Sequence, residues 1–327
     1  MYGKQKIAAL LASVSFWLAS VAGAAPAWSL PADGLQLDNS AKQAYVAAEM
    51  EKIKHPTGKK AGYIAPDGWQ HEKFLLKGVK TEKLVNPAGN RETVLLQLHG
   101  GGYVLGQSDN HRKLTEKYGV LAEAGEMYMV DYRLAPKDTY PAALDDAVVV
   151  YKELLAQGKS ADKIIVAGDS AGGNLALALS LYLKEHKLPQ PAMLLLISPW
   201  TTVENNLPSR KTNAERDLIL GKNNPFMFNA VAKPAYSKGY KAKDPRLSPI
   251  YADLSELPPM LIQTGGYELF LDENLALAKK AADDGTDVTI TIYPGMSHEF
   301  ALLMPDLQDS VKSFAEIRDF VKRHLHK

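Results

Sequence analysis

Ser170 sits in the stretch "GDSAGG", with a glycine two residues before it and another two residues after it. A serine on such a turn can act as a nucleophile in acyl transfer. Small neighbours let two backbone segments crowd together while the hydroxyl is held up on a sharp bend. The pattern alone is weak: in a chain with 24 glycines, one match arises by chance about one time in ten. Its setting is what counts. "KIIVA" before it reads as a strand and "GGNLALALSLYL" after it as a helix, the strand–turn–helix context this chemistry needs. The helix N-terminus would add free N–H groups and positive potential beside the hydroxyl, and Gly173 would let that helix lie close to the sheet. The bland alternative is a serine that only caps the helix.

Acyl transfer also needs donors for the developing oxyanion. "LLQLHGGGYVLG" (95–106) puts His99 and three glycines directly after a predicted strand. Gly101 and Gly102 are the expected donors through backbone N–H, with Ala171 as the third. Losing one such donor typically costs about 3 kcal/mol of transition-state stabilisation. Tyr103 is expected to shape the substrate pocket. Taken alone, the glycines could cradle a phosphate, but the lysine–serine/threonine ending of a P-loop and the spacing of a dinucleotide fingerprint are missing.

The base should be a histidine, and the chain has eight. His324 and His326 lie in the charged tail, and His55, His71, His111 and His186 in polar stretches without catalytic context. His99 reads as a residue that orders the glycine loop. His298, in "YPGMSHEF", follows the last predicted strand and suits a base reaching toward Ser170. The acid should follow "PMLIQTGG", where Glu268, Asp272 and Glu273 are available. Glu268 lies on the turn after the strand. Asp272 and Glu273 open the next helix, where acids are favoured by the helix dipole anyway. Placement favours Glu268, with Asp272 as the alternative.

These residues need elements to hold them. Short apolar runs at 93–100, 126–134, 162–170, 192–200, 258–266 and 287–295 read as strands, several apolar on both faces. Helical stretches at 141–158, 171–187 and 271–285 fall between most of them, and a last helix closes the chain. Such alternation implies an α/β class with a mostly parallel sheet flanked by helices. A strand pair is expected over 72–86 and a helix over 40–55. Residues 201–257 are too many for a simple crossover. Their aromatic stretch "NPFMFNAVAKPAYSKGY" suggests a helical cap built from about 36–62 and 201–243 on a single domain, 25–327.

The 327 residues are 46% hydrophobic and carry a net charge of +1. That balance gives no reason to expect a nucleic-acid partner. The absence of cysteine excludes disulfides, thiolate metal sites and a cysteine nucleophile. The N-terminus has Lys4 and Lys6, an uncharged apolar run, and small residues at Ala22 and Ala24 or at Ala25 and Ala27. This reads as a signal peptide over 1–24, with cleavage as late as residue 27. The mature protein would then be exported, periplasmic or secreted, with no membrane span left.

The motifs "HGGGY", "DYRLAP", "GDSAGG", "DPRLSPIYADLSELPPMLIQTGG" and "YPGMSHEF" together resemble the hormone-sensitive-lipase-like family of α/β-hydrolase esterases. They stand in that family's order over roughly residues 90–325. The resemblance implies a capped α/β-hydrolase fold, a serine carboxylesterase mechanism on small or short-chain acyl esters, and no cofactor or metal. It implies Ser170 as nucleophile, His298 as base, and Gly101, Gly102 and Ala171 around the oxyanion. The family usually has aspartate where Glu268 stands, with a second acid where Asp272 stands, so the resemblance leaves the acid open between them. Arg133 and Asp131 of "DYRLAP" read as structural support. A deacetylase, lactonase or amidase on the same scaffold, or a receptor without chemistry, are the alternatives. The sequence leaves a homodimer open.

Overall fold

The computed structural model describes residues 26–55 and 62–325. The signal-peptide expectation over 1–24 lies outside the described residues. Eight strands form one sheet in the order β1-β2-β4-β3-β5-β6-β7-β8. They are β1 (Gln70–Leu76), β2 (Val79–Val85), β3 (Asn90–Leu98), β4 (Ala124–Val130), β5 (Ile164–Asp169), β6 (Met193–Ile197), β7 (Met260–Gly265) and β8 (Val288–Tyr293). From β4 to β8 across the sheet, neighbours run parallel. β1 and β2 form an antiparallel hairpin, and β2 adds antiparallel to β4. Its two-residue turn, Lys77–Gly78, has positive φ at both positions, which matches the twist of the strands it joins.

Every residue of β5, β6 and β7 is buried, as expected of parallel strands covered on both faces. The hairpin closes one edge with Glu72 and Lys73, charges that blunt it against further pairing. The helices are α1 (Asn39–Lys54), α2 (Asp109–Leu121), α3 (Ala142–Ala156), α4 (Ala171–Glu185), the short α5 (Ser209–Thr212), α6 (Pro225–Ala232), α7 (Leu271–Asp283), the short α8 (Phe300–Leu303) and α9 (Gln308–Leu325). α3 packs on α4, and α2 on α9.

α2 was not expected from the sequence. Its residues, "DNHRKLTEKYGVL", are mostly polar and include Gly119, so the apolar rhythm is faint. It starts on a reciprocal cap between Ser108 and His111, and a histidine is an unusual residue for that role.

α1 docks near the C-terminal ends of the strands. Lys42 Nζ donates to the Pro294 carbonyl and Asp309 at 2.9 Å each, and Gln43 Nε2 donates to the Gly295 carbonyl at 3.1 Å. Segment 201–243 lies over the same end. Its α5 is held by the buried Arg210–Glu273 pair, with nitrogen–oxygen distances of 2.5 and 3.1 Å. Tyr236 stacks on Tyr103 with ring centroids 3.8 Å apart. Phe226, by contrast, is 61% exposed, so the aromatic stretch faces inward only in part.

Candidate active site

β5 is flanked by β3 and β6, with Leu98 opposite Gly168 and Asp169 opposite Ile197. This register brings the loop after β3 beside the turn after β5. Ser170 makes that turn at φ 51°, ψ −117°, a conformation an L-residue adopts at a cost of about 1–3 kcal/mol. The turn is so tight that a Cβ on Gly168 would lie 2.2 Å from the Gly172 carbonyl oxygen, and one on Gly172 would lie 2.0 Å from that of Leu98. Both glycines of the motif are therefore steric necessities. The Ser170 side chain makes no cap hydrogen bond to α4, so the bland reading of the sequence fails. Its backbone is fixed instead: Ser170 N–H donates to the Ile197 carbonyl at 2.9 Å, and Trp200 N–H donates to the Ser170 carbonyl at 2.9 Å.

His298 is buried. Its Nδ1 lies 3.3 Å from Glu268 Oε2. The other oxygen of Glu268 accepts from Ser198 Oγ at 2.6 Å and from Gly265 N–H. Ser198 Oγ in turn accepts from Glu299 N–H at 3.1 Å, so one hydroxyl at the end of β6 ties the acid to the histidine loop. Burial pushes the imidazole pKa down, while Glu299, Glu268 and Asp217 push it up when they are ionised; with all three charged the upward movement wins, and a neutral Glu299 removes the largest part of it. The Asp217 carboxylate anchors segment 201–243 by accepting from Leu269 N–H at 2.9 Å, beside the Glu268 turn.

The alternative acid does not approach the imidazole. Asp272 Oδ2 accepts from Ser209 N–H at 2.6 Å, and Ser209 Oγ accepts from Asp272 N–H at 3.1 Å, a reciprocal pair that pins α5 to α7. An acid at a helix start is well placed to accept from a neighbouring backbone, and Asp272 is used for that. Glu273 is committed to Arg210.

Gly101 and Gly102 have φ of 109° and 62°. The Gly101 carbonyl accepts from Val104 and Leu105 N–H, which folds the loop back on itself. The N–H groups of Gly101, Gly102 and Ala171 donate to no other described residue. Ala171 opens α4, where the first N–H groups have no intrahelical acceptor. Met227 of α6 reaches over the loop, 3.7 Å from where a Gly102 Cβ would be.

Tyr103 is placed differently from the expected pocket wall. It is 2% exposed, its hydroxyl donates to Asn174 at 2.7 Å and one ring face is taken by Tyr236. It thus bolts the glycine loop to α4 and to segment 201–243. His99 orders the loop as expected, stacked on Tyr132 at 4.1 Å with Nδ1 2.7 Å from the Gly100 carbonyl. Burial and the neighbouring His111 lower its pKa to about 4, so it is neutral. Arg133 bonds Asp146 of α3 at 2.8–3.0 Å, a support role as expected.

His111, dismissed in the sequence as lying in a polar stretch, is buried, with Nε2 3.4 Å from Asp169. Sequence reasoning also missed Asp169, Ser198, Asp217 and Glu299. An acid directly before the serine and another directly after the histidine were visible signals. The largely apolar cavity of about 320 Å³ bounded by Tyr140, Tyr182 and Tyr251 is a separate feature. It opens on the C-terminal half of α4, from Ala178 onward, roughly 12 Å along the helix from Ser170. No helix among the described residues is long and apolar enough to cross a membrane.

A central strand, a strained serine turn, a glycine loop and a carboxylate-held histidine define the α/β-hydrolase class. Residues 95–302 match the α/β hydrolase fold family, and the chain belongs to it. It is similar to an esterase from Acinetobacter venetianus, 34% identical over 75% of this chain and 79% of that protein. It is also similar to an acetyl-hydrolase from Streptomyces hygroscopicus, 35% identical over 74% of this chain and 79% of that one. Among solved structures, an esterase of the bacterial hormone-sensitive lipase family superposes with a TM-score of 0.77 at 31% identity, covering 88% of this chain and all of that one. This chain is a hormone-sensitive-lipase-like carboxylic ester hydrolase.

Proposed function

We propose that the ester is cleaved by Ser170, with His298 as base and Glu268 as the acid that orients it. What carries this reading is a strained, glycine-flanked Ser170 on one turn together with, on another loop, a buried imidazole whose Nδ1 faces Glu268. Ser170 Oγ attacks the acyl carbon and its proton passes to His298 Nε2. The carbonyl oxygen becomes an oxyanion, facing the N–H groups of Gly101, Gly102 and Ala171. Collapse expels the alcohol, which takes the proton from Nε2, and leaves an acyl-serine. Water then attacks that carbon, giving its proton to Nε2, and the acid leaves as Oγ recovers a proton. Glu268 holds the tautomer with the proton on Nδ1 and stabilises the imidazolium.

The substrates proposed are small or short-chain acyl esters. Met227 lying beside the glycine loop supports an apolar acyl site there, and the similarity to an acetyl-hydrolase points to a small acyl group. That similarity also favours a second reading, removal of acetyl groups from a larger alcohol. Segments 36–62 and 201–243 are read as the cap. Export by the N-terminal 24 residues is read from the sequence pattern and is tested by fractionating cells that express the full chain. Cytoplasmic, uncleaved protein would refute it.

The functional test is a series of p-nitrophenyl esters from acetate to hexanoate, beside acetylated carbohydrates. Turnover should fall with acyl length and vanish in Ser170→Ala. Undiminished turnover in Ser170→Ala overturns the serine mechanism. A rise in kcat/KM toward hexanoate overturns the short-chain reading.

A further inference from the structure

Two acids flank the site in sequence: Asp169 precedes Ser170 and Glu299 follows His298. They belong to separate strands and loops, yet their carboxyl groups converge in the interior against Gly100. Gly100 makes the space. A Cβ there would lie 2.3 Å from Asp169 Oδ2 and 2.4 Å from Glu299 Oε1. Two carboxyls brought together in the interior cannot both be ionised cheaply, which favours one proton for the pair.

The partners say which carboxyl holds that proton. Asp169 accepts from Gln97 Nε2 at 2.9 Å and from Gly100 N–H at 2.8 Å, with His111 Nε2 at 3.4 Å. Those donors favour its ionised form. The Glu299 side chain has no such set. Its Oε1 is buried without a hydrogen-bond partner and faces His298 Nε2 at 3.7 Å. Glu299 N–H is held by Ser198, and the residue itself sits in the left-handed region at φ 50°, so its place is set by the fold.

We propose that Glu299 is a positioning residue for the ester hydrolysis: its protonated carboxyl, donating to the Asp169 carboxylate, locks the turn that carries Ser170 to the loop that carries His298. The proposal rests on the roles given above to Ser170 and His298. The lock acts through the backbone on both sides of it. It fixes the approach of Oγ to Nε2 and keeps a neutral oxygen, not a carboxylate, beside the nitrogen that must accept the serine proton.

Charged and titratable groups reach this pair from each packed element. The loop after β3 offers His99, which is neutral. α2 offers His111 and Tyr118, with Arg112 further off and engaged by Glu82 and Asp109. Tyr132 faces it from the end of β4. Glu268 and Asp217 face it across the imidazole. Burial first, and then the Asp169 charge, raise the Glu299 pKa to about 8, with His298 acting in the opposite sense. A carboxyl with a raised pKa is neutral below that pH. Above it the lock becomes two repelling carboxylates, and the charge on Glu299 holds the imidazole protonated.

The test compares Glu299→Gln and Glu299→Ala with the wild-type chain over a pH series. Glutamine has an N–H that can replace the acid O–H toward Asp169, and it does not titrate. Glu299→Ala should lower kcat on the order of ten- to hundredfold, with a much smaller change in KM. Glu299→Gln should restore most of that loss below neutrality, and should lack the fall in kcat/KM expected of the wild type as pH rises through about 8. A Gln variant no better than Ala, or an Ala variant with wild-type kcat and pH profile, overturns the proposal. If the Ala variant does not fold, the pH profile of Glu299→Gln decides alone, and an unchanged profile overturns it. An infrared titration reads the same proton without turnover. A protonated-carboxyl band should be present in the wild type and lost in Glu299→Gln, and its absence from the wild type overturns the proposal. Ser170→Ala measured alongside separates this from the serine mechanism, because turnover surviving there refutes the mechanism and leaves the infrared result standing.

Discussion

Replacing Glu268 by glutamine separates the two candidate acids and gives a magnitude. The wild-type carboxylate does two jobs at once. Oε2 faces His298 Nδ1 at 3.3 Å, while Oε1 accepts from Ser198 Oγ and Gly265 N–H. An amide has one acceptor oxygen. If that oxygen stays with Ser198 and Gly265, the amide N–H₂ faces Nδ1, which must then become the acceptor. The proton moves to Nε2, and the histidine can no longer take one from Ser170. If the amide turns round, Gly265 N–H is left against a donor in the interior. The charge is lost in either case. With an effective dielectric of about 20, a unit charge 3.3 Å from the imidazolium is worth about 5 kcal/mol. That corresponds to a fall of about 10³- to 10⁴-fold in kcat.

KM should change little, since neither oxygen faces the proposed ester site. The matched control is Asp272→Asn. Its remaining carbonyl oxygen can still accept from Ser209 N–H, so kcat should stay within about threefold of wild type. The assay is steady-state hydrolysis of p-nitrophenyl acetate, with thermal melting to show that each variant is folded. A folded Glu268→Gln enzyme with near-full activity, or a folded Asp272→Asn enzyme that has lost it, would refute the reasoning.

Three further outcomes are expected. Gly172→Ala puts a Cβ 2.0 Å from the Leu98 carbonyl oxygen, and the protein should fail to fold or should melt at a much lower temperature, as read by circular dichroism. Arg210→Met leaves Glu273 buried and unpaired, so denaturant unfolding should show a loss of about 3–5 kcal/mol, with the contacts of segment 201–243 the first to be lost to proteolysis. Glu82 opposes burial with bonds from Arg112, His71 and Lys73, which together hold its carboxyl down at about 2 against an ordinary 4.5. A depressed acid stabilises fully above its unfolded value, and that contribution goes as pH falls from 4.5 toward 2. Glu82→Gln should therefore flatten the acid limb of the stability–pH curve and lower the melting temperature at neutral pH.

The parallel sheet was legible in the sequence because its strands are buried on both faces, and apolar runs such as "AMLLLI" can hardly be anything else. The positions of Ser170 and the glycine loop were legible because each directly follows such a strand, and that of His298 because it stands on the loop after the last strand, where chain order narrows the choice. α2 was not. Its buried side is made of His111, Thr115, Glu116 and Gly119 as much as of Leu114 and Tyr118, so its hydrophobic period is diluted by buried polar residues and a glycine. The same cause hid the function of His111. A histidine in a polar stretch reads as solvent-facing until the fold shows that the stretch faces inward.

The choice between Glu268 and Asp272 was open in sequence for a different reason. Both follow β7, four residues apart, and both types of carboxylate can orient an imidazole. What separates them is where segment 201–243 lands. It supplies Ser209, whose N–H takes Asp272, and Asp217, whose carboxylate holds the backbone just past Glu268. The irregular segment between β6 and β7 therefore does more than connect two strands. By occupying the competing acid it leaves Glu268 facing the histidine. A change in that segment alone, such as one that frees Asp272 from Ser209, should act on the orientation of the histidine through Leu269 and the Glu268 turn before it acts on any pocket wall. That long-range dependence is set by tertiary contacts across some sixty residues of chain, so no local pattern around "GGYELFLDEN" could have carried it.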